Sequence, residues 1–136
     1  MTEADPKRIK AYEAGLAAEA LVRDHLIEQG FEILAERYKT KSGELDLIVS
    51  RDELVCFVEV KARSSVEEGL HSITLKAQRR LAAAATQWMA DRPEIAQEMS
   101  EFRFDVAVVT PDHQITLLEN AFLLSLIHIS EPTRPY

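Results

Sequence analysis

The stretch GELDLIVSRDELVCFVEVKAR, residues 43–63, decides the fold of this chain. It contains two short segments that alternate between apolar and other residues, joined by the polar residues 50–53, and this pattern is typical of two strands connected by a turn. A strand places successive side chains on opposite faces. The first strand therefore has Leu45, Leu47 and Val49 on one face, and Glu44, Asp46 and Ile48 on the other.

The second strand repeats the mixture of apolar and charged positions. Val58 and Val60 share one face, and Phe57, Glu59 and Lys61 share the other. Burying a carboxylate costs several kcal/mol unless a cation, a proton or hydrogen bonds compensate it. Two neighbouring strands thus carry carboxylates where a half-buried sheet requires apolar residues, and this pattern predicts a functional site.

The composition indicates one globular domain. The chain has 136 residues, of which 46% are hydrophobic and 29% are charged, values that suit a single core. Its one cysteine, Cys56, excludes an internal disulfide bond, fits a reducing compartment and is predicted to be a buried structural thiol. We find no signal peptide and no apolar run near the ~20 residues of a membrane span, so we expect a cytoplasmic protein without a membrane partner.

The net charge of −7 argues at first against a nucleic-acid partner. Most of the acidic excess, however, lies after residue 80, where 3 basic residues accompany 8 acidic ones. Basic residues cluster at 7–10, 37–41, 61–63 and 76–80. Any one cluster is most simply a solvated face, but their position around one acidic site is suggestive of nucleic-acid binding.

Periodicity and turn residues predict the remaining elements. They are a helix over residues 7–29 that stops at Gly30, a strand over 31–35, a basic turn over 36–42, a loop after Arg63, a helix over 74–90, and strands over 102–109 and 115–118. This order is typical of a mixed α/β domain whose sheet is flanked by helices, and Trp88 is expected in its core. Gly69 in the loop suggests mobility or an unusual backbone angle.

The chain is expected to form one domain over residues 1–122. The tail LLSLIHISEPTRPY, residues 123–136, has no usable periodicity and carries two prolines near its end. We interpret this tail as lying outside the fold, and a cloning or read-through artefact is one explanation for it.

The acidic residues suit a divalent cation. Mg²⁺ prefers oxygen ligands and keeps several waters, so two or three carboxylates suffice. Asp46 and Glu59 on adjacent antiparallel strands could converge on one ion, and Lys61, one pleat beyond Glu59, could orient a water and offset charge on a phosphate. The four histidines are scattered, so zinc is not expected. Glu19 lies beside the apolar stripe of the first helix, which by itself favours a boundary residue in contact with solvent.

The spacing of these residues resembles a known signature. Asp46, twelve residues and then Glu59-Val60-Lys61 resembles the D…(D/E)-x-K pattern of the restriction-endonuclease-like superfamily. Together with Gly15, Glu19 and the segments GELDLI, FVEVKAR, QRRL (78–81) and RFDV (103–106), the chain resembles the YraN-like family of small bacterial proteins over residues 8–122. The fold of that family is similar to that of archaeal Holliday-junction resolvases and RecB-type nuclease domains.

The resemblance implies a three-layer α/β fold with a restriction-endonuclease-like core, a mixed sheet of about five strands, and a nuclease site that uses Mg²⁺ or Mn²⁺. Asp46 and Glu59 match metal-binding acids, Lys61 matches the catalytic lysine, and Glu19 matches a helix glutamate that completes the metal site. Gln78 matches a polar position that touches the water or the phosphate. The chain departs from the family at Arg37 and Lys39, where members usually carry Asn and Arg, and at Ala77-Gln78, where they usually carry Lys-Gln.

We therefore expect a metal-dependent nuclease that hydrolyses DNA phosphodiester bonds by a metal-activated water, with branched or recombination and repair intermediates as substrates. Glu44 shares a strand face with Asp46 and is a candidate for tuning the site or binding the metal. A homodimer fits the paired cuts of junction resolvases. The alternatives are a non-catalytic nucleic-acid-binding or interaction module that retains the fold, and an RNA-processing nuclease.

Overall fold

The computed structural model describes residues 5–122, and it has the mixed α/β architecture that the sequence predicts. The elements in chain order are α1 (Pro6–Glu28), β1 (Glu32–Lys39), β2 (Glu44–Arg51), β3 (Leu54–Ala62), α2 (Val66–His71), α3 (Leu75–Asp91), α4 (Pro93–Glu98), β4 (Glu101–Val109) and β5 (Ile115–Phe122). The predicted tail, residues 123–136, lies outside the described residues. None of the helices within the described range is long and apolar enough to cross a bilayer.

The five strands form one sheet in the order β1-β2-β3-β4-β5. The β3–β4 pair is parallel and is connected through α2, α3 and α4, whereas the other neighbouring strands are antiparallel. Each face of the sheet has its own core. The α1-side core contains Ala18, Val22, Leu26, Leu47, Val49, Cys56, Val58 and Val60, and the α3-side core contains Leu45, Ile48, Phe57, Leu81, Ala85, Trp88, Phe104 and Val106. The three-layer prediction is confirmed.

Helix α1 is bounded by local signals. Asp5 caps its first turn by accepting a hydrogen bond from the Lys7 backbone N–H at 3.0 Å, and Pro6 occupies the first helical turn. At the other end Gly30 adopts φ +89°, a conformation that side chains with a Cβ rarely take. The predicted helix over residues 7–29 thus agrees with the observed bounds within one residue.

Strand β1 is longer than predicted. The sequence indicated a strand over 31–35 and a basic turn over 36–42, but Glu36, Tyr38 and Lys39 still pair with β2. The turn is confined to residues 40–43, where the Thr40 hydroxyl accepts the Gly43 N–H at 3.1 Å. Because this side chain supplies the hydrogen bonds of a tight reversal, the basic residues before it remain in the strand.

The expected alternation in β2 is wrong at Leu45. Leu45 packs in the α3-side core with Ile48, whereas Leu47 and Val49 pack in the α1-side core. The change of face occurs around Asp46, beyond the last β2–β3 pair, Leu47 with Val58. The faces of β3 agree with the prediction for Phe57, Val58 and Val60, and the thiol of Cys56 is buried as expected.

The predicted loop after Arg63 contains the short helix α2, so that prediction is wrong. Ser65 caps the helix by accepting the Glu68 N–H at 3.1 Å. Gly69 is buried in this helix, and a Cβ added to it would lie 2.5 Å from a methyl group of Val108 on β4. This glycine therefore permits close packing of α2 on the sheet and does not indicate mobility.

Helix α3 carries the aromatic centre of its core. Trp88 is buried as predicted, and its ring lies edge-on to Phe57 with 5.8 Å between ring centroids. Leu75, at the first turn of the helix, is exposed.

Both edge strands contain extra residues relative to their partners. From Ile33 to Ala35, β1 advances by two residues while its partner β2 advances by one. On the other edge, β4 advances by two residues from Phe104 to Val106, and the paired positions on β5 lie four residues apart. Arg37 on β1 and Asn120 on β5 have φ values of +49° and +54°. The regular part of the sheet is therefore its centre, which consists of the β3–β4 pair and of β2 from Leu47 onward.

Candidate functional site

Asp46 lies where β2 diverges from β3. Its Oδ2 atom accepts a hydrogen bond from the Val60 backbone N–H at 2.8 Å, next to Glu59 on the partner strand. The regular pairing of β2 with β3 begins at Leu47, so Asp46 lies just outside it. This bond fixes the Asp46 carboxylate over the β3 backbone and explains why the alternation of β2 changes there.

Glu59 and Lys61 follow on β3, as the sequence predicted. Their side chains are 13% and 25% exposed, and Lys61 Nζ lies 3.8 Å from Glu59 Oε2. A spacing of two residues places both side chains on the strand face that also carries Phe57. The structure therefore presents an ammonium group directly beside the second carboxylate of the site.

Glu19 reaches the same region from α1. Its side chain is 20% exposed, and Oε2 accepts a hydrogen bond from Arg37 Nε at 3.2 Å. Glu19 and Asp46 both line a cavity of about 350 Å³ between α1 and the sheet, together with Leu16, Ala20, Arg23, Glu36, Arg37 and Leu47. Glu19 is thus a half-buried boundary residue of α1, as the helix pattern indicated, and it faces the same cavity as Asp46.

The three carboxyl groups interact electrostatically through Asp46. Burial raises the pKa of Asp46 to about 8, and the hydrogen bond and negative charge of Glu59 act in the same direction. Burial also raises the pKa of Glu19, followed by the charge of Asp46, while Arg37 opposes this shift. The raised pKa of Asp46 follows from a buried carboxyl group that lies close to another acid, and a bound cation would stabilise its ionised form.

The donor set fits a hard divalent cation. Carboxylate oxygens are the ligands that Mg²⁺ and Mn²⁺ prefer, and Asp46 lines one cavity with Glu19 and a second, smaller one with Glu59. Across residues 5–122, no three side chains of His, Cys, Asp or Glu are already grouped for metal binding. Asp46 is common to both pairs, and Arg37 already donates to one oxygen of Glu19, so this guanidinium group competes with a cation for the Glu19 carboxylate.

Two other predicted residues occupy different positions. Gln78 donates from Nε2 to the Ile73 carbonyl at 3.3 Å, near the start of α3. Glu44 is exposed and lines a cavity of about 400 Å³ beside Glu19, together with Ala11, Tyr12, Gly15, Leu16, Arg37 and Lys39. The predicted contact of Gln78 with water or phosphate stays a prediction, and Glu44 belongs to the rim of the site.

Sequence reasoning missed the role of Arg37. This residue was interpreted as part of a basic turn, yet it lies on β1, contacts Glu19 and has a positive φ. A pairing across 18 positions between a helix and a strand has no periodic signal. The one available sign was the basic character of residues 37–41, which follow the first predicted strand.

The motif around residues 103–106 forms a second ion pair away from this site. Asp105 is buried, and its carboxylate accepts two hydrogen bonds from Arg103, at 2.8 and 2.9 Å, and one from the Asn120 N–H at 2.9 Å. The hydrogen bonds between Arg103 and Asp105 are the main cause that raises the pKa of Arg103 above its ordinary value. Asp105 is therefore fully compensated by its own protein environment, as expected of a structural pair.

Comparison with known proteins identifies relatives over most of the chain. A "UPF0102 protein" of Rhodopseudomonas palustris is 47% identical over 115 residues, which cover 85% of this chain and 87% of the relative. Another "UPF0102 protein", from Bradyrhizobium diazoefficiens, is 40% identical over 108 residues, covering 79% of this chain and 80% of the relative. A third, from Nitrobacter winogradskyi, is 42% identical over 104 residues, covering 76% of this chain and 86% of the relative.

The sequence model of the "Uncharacterised protein family UPF0102" matches residues 18–109. This range contains the three acids of the site and its lysine: Glu19, Asp46, Glu59 and Lys61. The chain therefore belongs to family UPF0102, which is the YraN family that its motifs resemble.

Proposed function

We propose that this protein is a nuclease that hydrolyses DNA phosphodiester bonds and depends on Mg²⁺ or Mn²⁺. The observation that carries this proposal is the position of the Asp46 carboxyl group, which lines one cavity with Glu19 and bonds to the β3 backbone next to Glu59. Burial and the neighbouring Glu59 raise the pKa of this group to about 8. A buried acidic group of this kind requires a cation to ionise fully at neutral pH. Lys61 beside Glu59 supplies a positive charge at the same place.

The residues would divide the work as follows. Asp46 and Glu59 would hold the metal ion, and Glu19 would complete its ligands. A bound divalent cation polarises phosphoryl oxygens and lowers the pKa of water, so that a nucleophile is available near neutral pH. Lys61 would orient the attacking water and offset the negative charge that grows on the phosphate. Its distance of 3.8 Å from Glu59 keeps this ammonium group next to the acidic site.

The surroundings of the site support a nucleic-acid substrate. Arg23, Arg37 and Lys39 line the two cavities between α1 and the sheet, next to the carboxylates. Cationic side chains at such a position would contact the phosphate backbone, which contributes most of the sequence-independent affinity of nucleic-acid-binding proteins. Branched DNA from recombination or repair is the proposed substrate class, with two copies of the chain expected for paired cuts.

The second candidate is a non-catalytic nucleic-acid-binding module that retains the fold. The ion pair of Glu19 with Arg37 favours it, because this pair satisfies one of the three acids without a metal. In this case the basic residues of the cavities would still bind phosphates, and the acids would only shape the surface.

A cleavage assay separates these candidates. Purified protein is incubated with linear, flapped and four-way-junction DNA and with RNA, in EDTA, Mg²⁺ or Mn²⁺. The nuclease proposal expects cutting only with a divalent cation. Asp46→Ala should remove the activity, and Lys61→Ala should lower it by about 10²–10³-fold, as for other groups that stabilise transition-state charge. Asp24→Ala, at an exposed position of α1, is the matched control and should cut normally.

Each outcome has a stated meaning. Cutting retained in both Asp46→Ala and Lys61→Ala would overturn the assignment of the site. Binding of DNA by the wild type without cutting of any substrate would favour the non-catalytic module, and preferential cutting of RNA would replace DNA as the substrate.

A further inference from the structure

Arg37 occupies an unusual position in the candidate site. It lies on the edge strand β1 with φ +49°, in the left-handed region that residues other than Gly, Asn and Asp rarely adopt. From there its Nε atom reaches across to α1 and donates to Glu19 Oε2 at 3.2 Å. The sheet and the helix are thus connected by a guanidinium group that lines the same cavity as Asp46.

The Arg37–Glu19 pair lies between two cavities. The 400 Å³ cavity beside Tyr12 and Lys39 and the 350 Å³ cavity beside Arg23 and Asp46 are both lined by the same three residues: Leu16, Glu19 and Arg37. A movement of the Arg37 side chain away from Glu19 would therefore join both spaces into one groove. That groove would extend along α1, with Asp46 at one end and Lys39 at the other.

The Arg37–Glu19 ion pair can open easily. Arg37 makes one hydrogen bond to Glu19, and its side chain is 42% exposed. Arg103, by contrast, donates two hydrogen bonds to the buried Asp105. Single-contact pairs open to solvent contribute little to stability, whereas bidentate pairs hold their geometry. Arg37 therefore can leave Glu19 at small cost.

We propose that Arg37 stands in for the metal ion at Glu19 in the free protein, and that it leaves Glu19 when a divalent cation binds and then contacts a substrate phosphate in the joined groove. This inference rests on the proposed function, since it uses the same acidic site. It agrees with two observations on residues 5–122, where no three acids are grouped for metal binding and Glu19 is paired with Arg37. A guanidinium group suits the second role, since its planar donors match a phosphate.

The first test measures metal affinity in the absence of any reaction. Mn²⁺ is titrated calorimetrically into the wild type, Arg37→Asn, Arg23→Ala and Asp46→Asn. Asparagine is chosen at position 37 because it tolerates a positive φ while removing the charge. Arg23 is the matched control, since it lines the same cavity as Asp46 but pairs with Glu36. Removing a competitor of this exposed kind should tighten Mn²⁺ binding by Arg37→Asn by about two- to fivefold.

The second test measures the new role of Arg37 on a DNA duplex. Fluorescence anisotropy follows binding at several salt concentrations, in EDTA and in Ca²⁺, a hard cation that also takes oxygen ligands. In Ca²⁺, the plot of log K against log salt should be shallower for Arg37→Asn than for the wild type by about 0.9, the slope of one phosphate contact. In EDTA the two slopes should coincide, because Arg37 then stays on Glu19.

The outcomes distinguish this inference from the proposed function. If Mn²⁺ binds the wild type but not Asp46→Asn, and Arg37→Asn binds it no more tightly than the wild type, Arg37 does not compete and the inference is overturned alone. A tightening of equal size in Arg23→Ala would also overturn it, since the effect would then be general charge. If the wild type binds no Mn²⁺, the metal site and this inference fail together. Equal salt slopes in Ca²⁺ would remove the phosphate contact.

Discussion

Two aspartates of the described chain, Asp105 and Asp46, differ in how the protein compensates their negative charge. Asp105 is 2% exposed and accepts two hydrogen bonds from Arg103 and one from a backbone N–H. Asp46 accepts one backbone N–H and has Glu19 and Glu59 as its other neighbours. The first aspartate has its counter-charge beside it, whereas no cationic side chain within residues 5–122 forms an ion pair with the second. An acid that the fold leaves uncompensated is the better indication of a ligand site.

The largest effect is expected at the compensated aspartate. Arg103→Ala would leave Asp105 buried without its partner and should lower the free energy of unfolding by about 3–5 kcal/mol. Urea denaturation at pH 7 measures this loss. Replacing both residues with leucine removes the unpaired charge and should recover most of the stability. A loss below about 1 kcal/mol in Arg103→Ala would show that Asp105 needs no partner, which would end the contrast.

The opposite sign is expected at the uncompensated aspartate. Asp46→Asn resembles the protonated side chain, since its amide can donate to Glu59 while its oxygen still accepts the Val60 N–H. The pKa of Asp46 lies near 8 in the folded chain and near 3.8 as its ordinary value. The folded state therefore binds more protons between these values, and the stability of the wild type should fall as pH rises from about 4 to 8.

Asp46→Asn should lack this decline. At pH 8 without metal, we expect it to exceed the wild type in unfolding free energy by on the order of 2 kcal/mol, and near pH 4 the two should agree. Denaturation in EDTA over this pH range is the measurement. Parallel pH profiles for both proteins would mean that Asp46 is ionised and compensated in the free protein.

A divalent cation bound at Asp46 should supply the positive charge that Arg103 supplies to Asp105, and should thereby stabilise the folded protein. At a concentration ten times its dissociation constant, Mg²⁺ or Mn²⁺ should stabilise the wild type by about 1.4 kcal/mol, because it binds only the folded site. Asp46→Asn should gain much less, and Arg103→Ala should gain as much as the wild type. Thermal unfolding with and without the metal measures these increments. Equal stabilisation of all three proteins would indicate non-specific binding.

The smallest effect is expected at an exposed pair beside the site. Arg23 Nε lies 3.5 Å from Glu36 Oε1, and both side chains are about half exposed. Arg23→Ala should change the unfolding free energy by less than about 1 kcal/mol, as is usual for surface ion pairs. A larger loss, measured by the same denaturation, would show that this part of the cavity rim is structurally important.

The elements of the fold were predictable where a regular pattern lasts for several residues. The alternation of β3 is of this kind and is confirmed. The apolar stripe predicted for α1 is confirmed in its second half, where Ala18, Val22 and Leu26 are buried, whereas its first members, Ala11 and Ala14, are exposed. The helix α2 has only six residues, too few for a helical period, and its capping by Ser65 was not recognised. Its position also depends on the contact of Gly69 with Val108 on a distant strand, which no local pattern reports.

The candidate site was predictable from carboxylates whose burial in a strand costs free energy, but its geometry was not. Carboxylates at Asp46 and Glu59 stand out because strands rarely spend half-buried positions on charges, and a two-residue spacing places Lys61 beside Glu59. The face of Leu45 and the partner of Glu19 were beyond the sequence. The first depends on a side-chain bond from Asp46 to the Val60 backbone, and the second on how α1 packs against β1.

The irregular edge strands have a consequence for assembly. A straight, unpaired edge strand offers its free N–H and C=O groups to any other chain, and this leads to sheet extension or aggregation. Here both outer strands carry extra residues, and each contains a residue with positive φ, Arg37 in β1 and Asn120 in β5. Such interruptions tilt the backbone groups out of register with an incoming strand. Two copies of this chain are therefore poorly suited to joining their sheets. A dimer that made paired cuts in DNA would have to associate through helices or loops.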